Sequence, residues 1–330
     1  MKIGCVSMVR NIENIVKPFF DQLVAFFDEV IIIDHESYDG AIGYITSAHK
    51  NLPSLKLKIY TAVSDVHAQS EIVTYFSREL IERNDFVFIL DSDEFINFSD
   101  RNELENFLIS SGESHCIHLY WENIAPEKMD GSNIFAGGFF TSENADTYEK
   151  VIISKRIREV KKWKVSQGSH FIESSEELKI TRHNGKLYHI PIQSKLQFVM
   201  KFLNGYRILS VDKKNRVIGR GKHWIEYFML IKDGNLSDRT CIEIGASYQS
   251  KIVKKIEDLK IIYPRFTYVK TEYKETNEWL IANIVEKKVN GNNDYFVYFE
   301  GTLVTRGKIR LGLRKAIKYY GRYIKNMFSA

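Results

Sequence analysis

The first hundred residues alternate short apolar runs with amphipathic stretches: KIGCVSMV, IVKPFFDQLVAFF, EVIIID, LKLKIYTA, AQSEIVTYFSRELIERN and FVFILD. Strands this apolar need cover on both faces, and parallel strands need connections long enough to hold a helix. The pattern predicts an α/β fold: a mostly parallel, Rossmann-like central sheet with helices on both faces. Open sheets of that kind bind ligands in the crevice outside the carboxyl ends of their strands.

After a helix around 103–109, HCIHLYWEN reads as another strand, and GGFFTSENADTYEKVIISKRI as a loop leading into one more. WKVSQGSHFIE and LKITRHNGKLYHIPI read as short strands joined by Gly and Asn turns. From about Gln193 the pattern turns helical. This divides the chain into a ligand-binding domain over 1–205 and a C-terminal helical extension over 206–330, with the boundary near Gly205.

The chain has 330 residues, 44% of them hydrophobic, enough for a sizeable core. Its longest apolar runs, Phe86 to Leu90 among them, fall far short of the roughly 20 residues a bilayer span requires, and the N-terminus lacks an apolar leader. Cys5, Cys116 and Cys241 are odd in number and widely spaced, a pattern of neither a disulfide framework nor a zinc site. A cytoplasmic setting is expected. The net charge of +5 is uneven: residues 301–330 carry eight Lys or Arg and no acid, leaving the other 300 residues at −3. Within 306–328, Ile309, Leu313, Ala316, Ile317, Tyr320, Ile324, Met327 and Phe328 follow helical spacing, with basic residues on the other faces. That pattern describes either an interfacial helix on anionic lipid, at the inner face of the cytoplasmic membrane, or a helix docked on the body with a solvated face. No nucleic-acid motif is present.

Two acidic clusters fall at strand ends: Asp34 to Asp39 after EVIII, and Asp91, Asp93 and Glu94 after FVFIL. An unpaired buried carboxylate costs several kcal/mol, so such groups reach solvent, find a partner or bind a cation. Two Asp at i and i+2 on a turning chain can aim oxygens at one hard cation, Mg²⁺ or Mn²⁺, with water and substrate phosphates filling its other positions. Such an arrangement is half of a diphosphate clamp.

The segment VSMVRNIENIVKPFFDQLVAFFDEVIIIDHESYDG, followed by FVFILDSDEF, resembles the nucleotide-binding half of family 2-type GT-A glycosyltransferases, in particular the bacterial branch with an Asp-x-Asp-Glu-Phe signature. The resemblance is good over residues 1–98 and looser to about Lys201. It implies that Val6, Ser7 and Met8 flank the base of a nucleotide-sugar, that Arg10 and Asn11 follow the first strand, and that Asp34 accepts from uracil N3–H. It further implies that Asp91 lies near ribose and metal with Ser92 beside it, and that Asp93 is the direct ligand of Mn²⁺ or Mg²⁺. LYHIPIQSKLQFVMK is similar to the family's late His segment, which favours His189 over His170 as the remaining metal ligand, with Lys195 and Lys201 near the diphosphate. The family pattern has two Asp and a Gly where this chain has Asp34, His35 and Glu36. Gln69 and Arg78 stand near the place of the usual Arg-Asn pair.

The implied activity is an inverting glycosyl transfer from a nucleotide-sugar, UDP-linked by the Asp34 role, to a saccharide or lipid-linked saccharide acceptor in cell-surface polysaccharide synthesis. Inversion requires a carboxylate base, for which Glu122, Glu173 and Asp130 are candidates. Tyr120 and Trp121 can stack on a sugar ring. A metal-dependent phosphohydrolase is the runner-up, although Phe95 stands where that pattern has Thr or Val. A non-catalytic carbohydrate-binding or scaffold protein is the third reading.

Overall fold

Residue Val6, in the middle of the first strand, is fully enclosed, with one parallel neighbour on each side. The computed structural model describes residues 1–64, 68–143, 148–211, 222–248, 258–284 and 294–308. Its strands are β1 (Ile3–Val9), β2 (Glu29–Asp34), β3 (Lys56–Ser64), β4 (Phe86–Ile89), β5 (Glu94–Ile96), β6 (Cys116–Asn123), β7 (Ala125–Pro126), β8 (Phe139–Thr141), β9 (Glu149–Ser154), β10 (Trp163–Val165), β11 (Ile172–Ser174), β12 (Ile180–His189), β13 (Lys260–Ile262), β14 (Asp294–Phe299) and β15 (Thr302–Lys308). Its helices are α1 (Val16–Phe26), α2 (Ala41–His49), α3 (Gln69–Ile81), α4 (Arg101–Ser110), α5 (Lys195–Val211), α6 (Lys222–Lys232), α7 (Asp238–Ser247) and α8 (Asn277–Ile284).

Ten strands form one sheet in the order β15-β14-β3-β2-β1-β4-β9-β6-β12-β5. Seven of these strands run in one direction, and β14, β9 and β5 run against them. The apolar runs of the first hundred residues form its parallel centre, β3-β2-β1-β4, as their composition predicts. Alternation along β1 supplies both faces. Ile3, Cys5 and Val9 join a core with α1, α2 and α4, while Val6 joins one with α3 and the ribbon β10-β11. A third core, including Phe198, Phe202, Tyr227 and Cys241, lies among α5, α6 and α7.

The chain leaves β1 for β2 and β3 on one side, then returns to place β4 on the other. The strand order therefore switches between β1 and β4, where open α/β sheets gather their ligands.

The region after residue 205 differs from its expected helical character. Gly205 lies inside α5, and the chain beyond it returns to the main body. Tyr268 and Tyr273 join the core of α1, β13 pairs with β8, and β14 pairs with β3 at the sheet edge. Aromatic side chains from the late segment are too large to leave exposed when that core can take them. The basic stretch over 306–328 lies, from residue 309, outside the described residues. Among the described residues no helix is long and apolar enough to cross a membrane.

Candidate functional site

The carboxyl edge of β2 and β1 is shaped by two residues in the left-handed region, Asn11 (φ 48°) and Glu36 (φ 53°). Both turns are cross-braced. The Asn11 N–H donates to Ser37 Oγ at 2.9 Å, and the Tyr38 N–H donates to Asn11 Oδ1 at 2.9 Å. Left-handed non-glycine residues cost free energy and collect at binding sites. Asp34, at the end of β2, is buried and accepts the Ser37 N–H at 3.1 Å. Burial pushes its carboxyl above the usual range, and hydrogen bonds from Ser37 pull it partly back. Val6 and Met8 face the core on the α3 side, whereas the fully enclosed Ser7 faces away from them.

One strand over from β1 lies the acidic turn. β2 and β4 flank β1, so their ends stand roughly 10 Å apart across it. The Leu90 N–H donates to Val6 O at 3.1 Å, which brings Asp91 to the end of β1. The turn closes on itself twice: the Glu94 N–H donates to Asp91 O at 3.1 Å, and the Asp91 N–H donates to Glu94 Oε2 at 2.9 Å. The buried amide of Gln22 then holds the turn to α1, donating to Glu94 O at 2.9 Å and accepting from the Ile96 N–H at 2.6 Å. The Ile190 N–H donates to Asp93 O at 2.8 Å, joining the turn to the end of β12. Ser92 lies within it, half-buried.

The two Asp meet different partners. Asp91 accepts from Lys150 Nζ at 2.5 Å and from Gln69 Nε2 at 3.2 Å. Asp93 Oδ2 accepts from Lys201 Nζ at 3.1 Å and lies 3.6 Å from His189 Nε2. Burial opposes ionisation of Asp93, but the Lys201 ammonium beside it outweighs burial and holds its carboxyl far below the ordinary range. His189 is enclosed, with Nδ1 2.8 Å from Asn123 Oδ1 and its ring stacked on Trp121 at 4.0 Å and 24°. With Asn123 Oδ1 as acceptor, Nδ1 carries the proton and Nε2 turns its lone pair toward Asp93. Burial also lowers the pKa of His189, which favours this neutral ring.

A lone pair and a carboxylate facing each other at 3.6 Å ask for a cation between them. Asp93 and His189 fit a hard or borderline divalent ion whose other positions are filled by water and phosphate. Lys201 holds that carboxylate with an ammonium whose side chain is 26% exposed and which also donates to Pro191 O at 2.9 Å. Among the described residues, no group of three or more His, Cys, Asp and Glu gathers into a cation cage. Asp91 meets Lys150 and Gln69 instead, one on each carboxylate oxygen. His170 Nδ1 lies 2.8 Å from Glu149 O and its ring meets the edge of Trp121, so it lines the cluster with one nitrogen already occupied.

The remaining sequence-derived residues lie elsewhere. Glu122 is in register with Tyr188, and strand alternation turns it to the face opposite Trp121, Asn123 and His189. Asp130 is exposed and accepts the Ser132 N–H at 3.0 Å in a surface turn. Glu173 stands in the β10-β11 ribbon opposite Lys164. Lys195 Nζ lies 3.6 Å from Asp238 at the surface, away from the acidic turn. Six residues separate Lys195 from Lys201, which places them on different faces of α5. Arg78 donates to Trp163 O and packs on that indole. Sequence reasoning missed Lys150, a charge directly before the apolar run VIIS of β9, and the Trp121–His189 stack.

No family profile matches the sequence, and no curated protein is significantly similar to it. Solved structures similar to it include S. aureus TarS 1-349, at 14% identity and a TM-score of 0.37, with 69% of this chain and 71% of that one covered. Others are the mannosyltransferase PcManGT from Pyrobaculum calidifontis in complex with GDP-Man and Mn2+, at 10% identity and a TM-score of 0.40 over 73% and 77% of the chains, and HddC from Yersinia pseudotuberculosis, at 11% identity and a TM-score of 0.32 over 59% and 96%. Identity this low and superposition this loose say nothing of substrate or chemistry, which rest on this chain's own residues.

Proposed function

We propose that the chain is a glycosyltransferase that takes a sugar from a nucleotide-sugar, with UDP as the nucleotide, and passes it to a saccharide acceptor. The observation that carries this reading is the joining of Asp93, His189 and Lys201 at the β1/β4 switch point, with Asp34 at the neighbouring strand end. Asp34 accepts from the base; its buried carboxylate suits an N–H donor such as uracil N3–H. Asp91, fixed on one side and open on the other, accepts from ribose hydroxyls. Asp93 and His189 would hold a divalent cation, which when bound offsets charge on the departing diphosphate. Lys201, released from Asp93, turns its ammonium to the same phosphates.

The test is nucleotide release from UDP- and GDP-sugars by the purified protein, with and without Mn²⁺. Release from the UDP-sugar is expected to depend on the metal and to fall about 100-fold or more in Asp93→Asn. Release from neither donor overturns the proposal, and release unaffected by Asp93→Asn removes the site assigned to it.

A further inference from the structure

The side chain of Lys150 is 2% exposed, in a strand whose neighbouring residues, Val151, Ile152 and Ile153, are core. An ammonium so placed must find anionic or carbonyl partners. It finds three: Asp91 Oδ2 at 2.5 Å, Glu94 Oε1 at 3.0 Å and Gly168 O at 3.1 Å. The turn it grips is constrained, since Gly168 (φ 77°) and Ser169 (φ 58°) are consecutive left-handed residues. Gln69 braces that turn too. Its Oε1 accepts from the Gly168 N–H at 3.3 Å and from Gln167 Nε2 at 3.1 Å, while its Nε2 donates to Asp91 Oδ1.

The acidic turn, β9, the start of α3 and the 167–169 turn thus converge on one carboxylate. Lys150 and Glu94 are closed to solvent, whereas the side chain of Asp91 is 30% exposed. A carboxylate offers about four lone-pair directions. Lys150 and Gln69 take one on each oxygen, which leaves the others for the crevice.

We propose that Lys150 is a positioning residue for nucleotide binding: by fixing Asp91 from within the protein, it aims that carboxylate's remaining lone pairs at ligand hydroxyls in the crevice. This rests on the glycosyltransferase reading and adds to it a residue that meets no ligand itself. Lys150→Met alone leaves Glu94 facing Asp91 with no cation between them, a change that can prevent folding. The double variant Lys150→Met with Glu94→Gln removes both buried charges and is the informative protein.

The experiment is calorimetric titration of UDP, and separately GDP, each with Mn²⁺, into wild type, Glu94→Gln and the double variant, with thermal unfolding as the check on fold. Glu94→Gln is expected to bind within about threefold of wild type, and the folded double variant about tenfold or more weaker. Adding Asp91→Asn to the double variant is expected to cost little more, although it weakens wild type by the same tenfold, because the two changes remove one interaction. A double variant that binds within twofold of Glu94→Gln overturns the positioning role. Should it not unfold cooperatively, Gln69→Ala decides, because it frees the other oxygen while the buried charges stay paired: about threefold or more weaker binding supports the role, and unchanged binding overturns it. Wild type that binds neither nucleotide overturns the glycosyltransferase reading, and this role with it.

Discussion

Glu94 is the acid whose titration the fold alters in the most testable direction. Burial pushes its carboxyl well above the ordinary range, ahead of the opposing pull of Lys150. A carboxyl raised on folding contributes stability that is complete below about pH 4.3 and is lost as pH rises through the folded value. Gln stands in for the protonated acid at every pH. The melting temperature of Glu94→Gln relative to wild type is therefore expected to move in the variant's favour between about pH 4.5 and pH 8, as measured by calorimetric scans; a constant gap would contradict the raised carboxyl. At this scale the sequence was legible in the placing of Asp91 and Asp93 on one turn after an apolar strand, and silent where an arrangement depends on what lies across the sheet. Nothing local to EKVIIS shows that Lys150 points inward, because its partners are about 60 residues upstream. The sequence also contained the relation between Glu122 and Trp121: they alternate along one strand, which turns them to opposite faces.

Between elements, α7 approaches β7 and the segment following β12 closely. A Cβ added at Gly245 would meet Ala125 Cβ at 2.8 Å and Ile192 Cβ at 3.3 Å. Alanine gains about 1 kcal/mol of helix propensity over glycine, but overpacking against backbone-anchored carbons costs about 1–3 kcal/mol. The clash is expected to win. Gly245→Ala should lower the melting temperature by a few degrees, and a higher one would show that α7 can shift outward freely. The central strands and α1, α3 and α4 were readable because apolar period and length agree along them. β5 was not, because three residues after a charged turn carry too little pattern, and its pairing with β12 depends on residues 187–189. β13 was read as helix since DLKIIY offers apolar residues without a decisive period.

Across the whole molecule, the sheet ends in a hairpin drawn from residues about 230 positions after the strand it covers: β14 pairs with β3 and β15 shields β14. Val297 carries that docking, fully buried in the core on the α3 side. Val297→Asp would bury an unpaired carboxylate at a cost of several kcal/mol, so the hairpin is expected to detach and leave β3 as an open edge. Concentration-dependent self-association, read by light scattering, is the expected outcome; a variant that stays monodisperse and unchanged in melting temperature would show that the hairpin contributes little. Both strand and pairing were missed, since the chain after about Gln193 was read as helical and nothing in DYFVYF names a partner about 230 positions upstream. The pairing also sets the order of events during synthesis. At about 5–20 residues per second, β3 leaves the ribosome roughly 10–50 s before the strand that covers it. The nascent protein must keep that flank from other chains for the whole interval, and the alternating lysines Lys56 and Lys58 along β3 are placed to discourage them.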